Sequence, residues 1–95
     1  MKGGEKHPDV SSSLMNIGTI YLETGKVEEG TKYIEKALKL ILELYGEPHI
    51  TLGKIYTNLG NAYRLMGDPA KGIYYFKKGL ENNIQLFGMI ILKAL

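Results

Sequence analysis

The sequence predicts an all-α protein: four antiparallel helices forming two stacked hairpins. Three features of the chain point there. Shifting it by 42 residues superposes identical residues without a gap, among them His7 on His49, Asn16 on Asn58, Gly18 on Gly60, Tyr21 on Tyr63, Gly25 on Gly67, Gly30 on Gly72, Tyr33 on Tyr75, Lys36 on Lys78, Leu38 on Leu80 and Gly46 on Gly88. Self-similarity at a fixed period of roughly 20–50 residues marks stacked repeats. Between the glycines, apolar residues recur at helical spacing. No alternating apolar–polar run bounded by turn residues is present, so strands have no support.

Residues 1–6 are small and charged and read as a disordered lead-in. Residues 7–48 form the first repeat. Pro8 disfavours helix before it, and Asp9 or one of Ser11 to Ser13 can cap a helix from Val10 to about Thr24. Its apolar positions are Val10, Leu14, Ile17, Ile20 and Tyr21. Gly25 supplies a C-terminal stop. Val27–Tyr45 is the second helix, with Glu28 and Glu29 favourably placed in its first turn and Gly46 as its stop. After Glu47-Pro48-His49 the pattern restarts, so residues 49–88 form the second repeat. Ile50–Met66 is the third helix, with Leu52, Ile55, Tyr56, Leu59, Ala62 and Tyr63 on its apolar face. In Gly67-Asp68-Pro69 the glycine stops one helix, the aspartate caps the next, and the proline takes a first helical position that needs no N–H. The fourth helix is expected from Pro69 to about Phe87, stopped by Gly88. Residues 89–95, Met-Ile-Ile-Leu-Lys-Ala-Leu, break the period and are expected to extend or follow that helix as an apolar tail.

A chain of 95 residues is one domain at most. Its 12 basic and 10 acidic residues give a net charge of +2 spread along the sequence, with no basic stripe for nucleic acid. Cysteine is absent, which excludes disulfides, thiolate metal sites and cysteine catalysis. The N-terminus has no apolar run behind its charge, and the longest apolar run, Met89 to Leu92, cannot cross a bilayer. A cytoplasmic protein without membrane contact is the expectation.

The motif Leu14-x-x-Ile17-Gly18-x-x-Tyr21, repeated as Tyr56-x-x-Leu59-Gly60-x-x-Tyr63, resembles the first helix of the tetratricopeptide repeat (TPR). On the second helix the family prefers Ala-x-x-x-Phe-x-x-Ala. Here stand Gly30-x-x-x-Ile34-x-x-Ala37 and Gly72-x-x-x-Phe76-x-x-Gly79. The period of 42 exceeds the usual repeat of about 34, and Leu42 and Ile84 stand where a proline usually follows. Longer helices with a His-Pro-Asp opening and a Tyr-Gly closing look like the kinesin-light-chain type. The resemblance covers residues 7–88 and implies a short right-handed α-solenoid of two repeats. It further implies a non-catalytic scaffold or adaptor that holds a partner's peptide in the concave groove of its first helices.

Opposite the apolar stripe, helical spacing places Ser12, Met15, Asn16, Thr19, Leu22 and Glu23 on the first helix, and Lys54, Thr57, Asn58, Asn61, Arg64 and Leu65 on the third. Asn16 and Asn58 recur in register. An asparagine donates and accepts at once, as holding an extended peptide requires, and TPR grooves resembling this one use asparagines so. The plainer reading is a polar residue that keeps the groove wet. Lys54, Arg64 and Asn61 could hold an acidic side chain or a C-terminal carboxylate, although the TPR carboxylate clamp draws further basic residues from a third repeat; a solvated basic face is the competing reading. Met15, Leu22 and Leu65 could add apolar pockets.

His7 and His49 sit one repeat apart and do not converge as a zinc site requires; they read as linker and helix-start residues. No metal, cofactor or catalytic set is expected, and the glycines are packing and capping glycines. A second reading is structural. About three repeats are usually needed for a stable stack. An exposed cluster of Met89, Ile90, Ile91, Leu92 and Leu95 would mark an interface, which points to a homo-oligomer joined through stack ends or to a fragment of a longer array.

Overall fold

Each helix begins where the sequence supplies an acceptor or a favourable first turn. In the computed structural model, which describes residues 7–95, the helices are α1 (Pro8–Glu23), α2 (Val27–Tyr45), α3 (Ile50–Leu65) and α4 (Pro69–Ala94), and the described residues include no strand. The lead-in expected at residues 1–6 lies outside the described residues.

The cap of α1 is not the one expected. His7 occupies the N-cap, its Nδ1 accepting from the Asp9 amide at 3.1 Å, and Pro8 takes the first turn. Asp9 is thereby already helical and Ser11 is buried, so neither is free to cap. His49 repeats the device at α3, accepting from the Thr51 amide at 3.1 Å. The two histidines that align across the repeat are therefore matching helix starts. Asp68 caps α4 through the Lys71 amide at 3.1 Å, as its place before Pro69 predicts.

Gly25, Gly46 and Gly67 end their helices with φ of 89°, 72° and 87°. Gly88 aligns with Gly46 in sequence but stops nothing: α4 runs through it to Ala94. Gly46 leads into Glu47-Pro48, which cannot continue a helix, whereas Gly88 is followed by good helix formers. The tail is thus a direct extension of the last helix.

Within each hairpin the helices meet at paired glycines. A Cβ on Gly18 would stand 2.9 Å from the Gly30 carbonyl oxygen, and one on Gly60 would stand 2.9 Å from that of Gly72. Only a residue without a side chain allows this approach. One turn along, Tyr21 stacks on Tyr33 and Tyr63 on Tyr75, both with ring centroids 5.5 Å apart.

The two hairpins join through α2 and α3. Ile34, Ala37 and Ile41 of α2 pack in one buried cluster with Leu52, Ile55, Tyr56 and Leu59 of α3, together with Met15 of α1. The linker is fastened to α4 by Asn82, whose Oδ1 accepts from the His49 N–H at 3.0 Å while its Nδ2 donates to the His49 carbonyl at 2.9 Å. A fully buried amide is stable there because both of its ends are satisfied.

The stripe expected to be buried on α1 is only partly so. Ile17 is 39% exposed and Ile20 58%. Their aligned partners Leu59 and Ala62 are wholly buried, but among the described residues no helix lies on that side of α1. Its buried face is instead Ser11, Met15 and Gly18, turned toward α2.

Candidate functional site

α1 and α3 lie on the same side of the two hairpins, and the surface between them is concave. Helical geometry sets what lines it: with Gly18 and Gly60 turned to the paired helices, the positions on the opposite side of the wheel, Asn16 and Asn58 among them, face outward together. A depression of about 500 Å³ is lined by Met15, Asn16, Thr19, Ile20, Lys54 and Asn58. A second of about 180 Å³ is lined by Thr19, Leu22, Glu23, Asn58, Asn61 and Leu65. Thr19 and Asn58 belong to both, so the two form one groove.

Most of the residues singled out from spacing are brought together here. Asn16 and Asn58 line the same depression, from α1 and α3 respectively, with Lys54 one turn before Asn58. Asn16 is exposed and Asn58 half-buried, so both amides can reach a ligand. Asn61 continues the polar row. Arg64 lines neither depression, and its guanidinium donates to the Asn61 Oδ1 at 2.6 Å. Lys54 and Arg64 therefore do not face one shared pocket.

Met15 departs from its expected place opposite the core. It is 4% exposed and belongs to the buried cluster, touching the groove only as its floor. The cause is its neighbours: Met15 packs into the cluster formed by α2 and α3, while no described helix covers Ile20. Ile20 is the groove residue that sequence reasoning assigned to the core. Its signal was present in the alignment, where Ile20 stands against the small Ala62.

Local hydrogen bonds narrow the chemistry. The hydroxyls of Thr19 and Thr57 donate to Met15 and Gly53 carbonyl oxygens at 2.9 and 2.8 Å, the back-bonding pattern of helical threonine. They remain acceptors only. The free donors of the groove are the asparagine amides and the Lys54 ammonium. Glu23 places a carboxylate in the second depression, so the groove is cationic at one end and anionic at the other. Apolar contact comes from Ile20, Leu22 and Leu65.

Among the described residues, no three His, Cys, Asp or Glu side chains cluster as metal ligands would. No helix among them is long and apolar enough to cross a membrane.

The family model described as Tetratricopeptide repeat matches residues 3–85. No curated protein matches the chain.

Proposed function

Because this chain belongs to the tetratricopeptide repeat family, whose members generally mediate protein–protein interactions, we propose that it is a non-catalytic module of two repeats, residues 7–48 and 49–88, of the kinesin-light-chain type. It holds an extended partner peptide in the α1–α3 groove. The supporting observation is that Asn16 and Asn58, which recur in register, line one depression from two helices. Their amides pair with the peptide's backbone, since each offers both a donor and an acceptor. Lys54 takes an acidic side chain at its end of the groove, while Glu23 favours a neutral or basic one at the other. Thr19 accepts between them, Asn61 and Arg64 border the far side, and Met15 forms the floor. In this reading the chain acts as a cytoplasmic scaffold or adaptor, with no cofactor and no nucleic-acid or membrane partner.

The test is selection of displayed random peptides on the immobilised protein, followed by affinity measurement on the selected sequences. Asn16→Ala and Asn58→Ala should each weaken binding by about tenfold, the loss of roughly 1.4 kcal/mol of hydrogen bonding. Lys54→Ala should matter only for peptides carrying an acidic residue. Equal binding by all three variants would refute the groove as the site.

A second reading is favoured by one specific observation. The apolar tail is helical and exposed: Met89, Ile90, Ile91, Leu92 and Leu95 all face solvent on the continuation of α4. Surface of this kind marks an interface, and on this reading the chain self-associates through its stack ends.

A further inference from the structure

The outward face of α4 is the 42-residue copy of a face that is already covered in this chain. On α2, Thr31 and Ile34 are buried and Leu38 and Leu42 half-buried, because α3 lies over them. Their aligned residues on α4 are Ile73, Phe76, Leu80 and Ile84, and all four are exposed. With Phe87 and Ile91 they form an exposed stripe along α4, bordered on one side by the contact of the Phe76 ring with Gly60 of α3. Every residue of the stripe is large and apolar. A patch of this extent is the signature of an interaction surface.

The α2–α3 joint shows what fits such a face: the first helix of a repeat, laid antiparallel. The chain contains a second helix of that kind with its matching side bare. On α1, Ile17 and Ile20 are exposed where Leu59 and Ala62 of α3 are buried. We infer that the α4 face of one copy receives the α1 face of a second copy, head to tail, in the geometry that closes α2 on α3. This gives the self-association reading a definite partner surface, and it rests on that reading.

The register follows from the closed joint, where the Thr31 Oγ1 lies 3.9 Å from the Met66 Sδ. Moved by one period, Ile73 comes level with Thr24, Leu80 with Ile17 and Phe87 with Val10. The substitutions between the two joints are matched. Ile41 and Ile55, both buried in the closed joint, are replaced by Asn83 and Ser13, both polar. A two-fold pairing of α4 with α4 would leave the bare α1 face unused.

A head-to-tail contact does not close on itself at two copies, because each added copy presents a fresh face. It also continues the α1–α3 groove from one copy into the next.

The experiment is light scattering across a dilution series on the 95-residue chain, with Ile17→Glu and Leu80→Glu as single variants. Both sites are exposed, and circular dichroism checks that each variant keeps its helices. The wild-type mass should rise past twice the monomer with concentration. Each variant alone should stay monomeric. A one-to-one mixture should form a dimer and stop, since it holds one intact α4 face and one intact α1 face. A monomer at every concentration would overturn both the inference and the self-association reading. A fixed dimer that Ile17→Glu leaves intact would overturn the head-to-tail contact while sparing self-association.

Discussion

α1 and α3 carry the same motif, yet one is half covered and the other is enclosed. Both place a glycine against the paired helix and a tyrosine one turn further on. α3 is held by α2 on one side and α4 on the other, so Leu52, Ile55, Leu59 and Ala62 lose all contact with water. Among the described residues α1 packs on α2 and only lightly on α3, and the corresponding Ile17 and Ile20 stay exposed. The motif thus fixes where a helix turns its small face. What the remaining face does depends on its neighbours.

The largest expected effect is at the equivalent core position. Leu59→Ala should cost about 3 kcal/mol of unfolding free energy, the typical loss for a wholly buried leucine, whereas Ile17→Ala should cost about 1 kcal/mol. Urea titration with unchanged m-values measures both. Similar losses would mean that α1 is covered in solution as α3 is.

Next come the glycines that the two helices share. Gly18→Ala and Gly60→Ala should each destabilise by about 1–3 kcal/mol, because the new Cβ meets backbone oxygen that cannot swing aside. Here the two helices should behave alike, since the hairpin contact is the same in both.

Two buried polar residues give a smaller contrast. Asn82→Ala should cost about 1–3 kcal/mol by leaving the His49 N–H and carbonyl unpaired. Ser11, whose buried Oγ has no hydrogen-bond partner among the described residues, should respond the other way: Ser11→Ala should stabilise by about 1 kcal/mol.

The smallest effect is alkaline. Burial raises the phenol pKa of Tyr56, Tyr63 and Tyr75, with the Glu47 carboxylate adding at Tyr56 and Glu35 at Tyr63. The fold therefore favours the neutral phenols. Their contribution is complete below about pH 10, where an unfolded tyrosine begins to ionise, and is lost as pH rises above it. Tyr63→Phe should lessen that fall, because it removes one of the groups that the unfolded chain releases a proton from. A slope unchanged by the substitution would exclude Tyr63 as a source.

Much of this was legible in the chain. The fold class and the four helices came from period and punctuation, and the Asp68 cap from its place before Pro69. Asn16 and Asn58 were placed on one face by spacing alone, and they do line one depression. The failures share a cause. A repeat pattern describes a helix inside an array, so Ile17 and Ile20 were read as core although no helix covers them here, and Met15 was read as surface. Gly88 inherited the role of Gly46 by alignment, while the residues after it decide whether a helix stops. The His7 cap escaped notice because histidine is not among the favoured capping side chains. Asn82 escaped because its aligned residue is Leu40, an ordinary apolar position.

The most direct measurement is native-state hydrogen exchange on dilute protein, resolved by helix. Packing on both sides predicts that the central amides of α3 exchange only through global unfolding, while those of α1 open separately and exchange at least about tenfold faster. Equal protection of α1 and α3 at that dilution would contradict the account, since the two helices would then be equally enclosed.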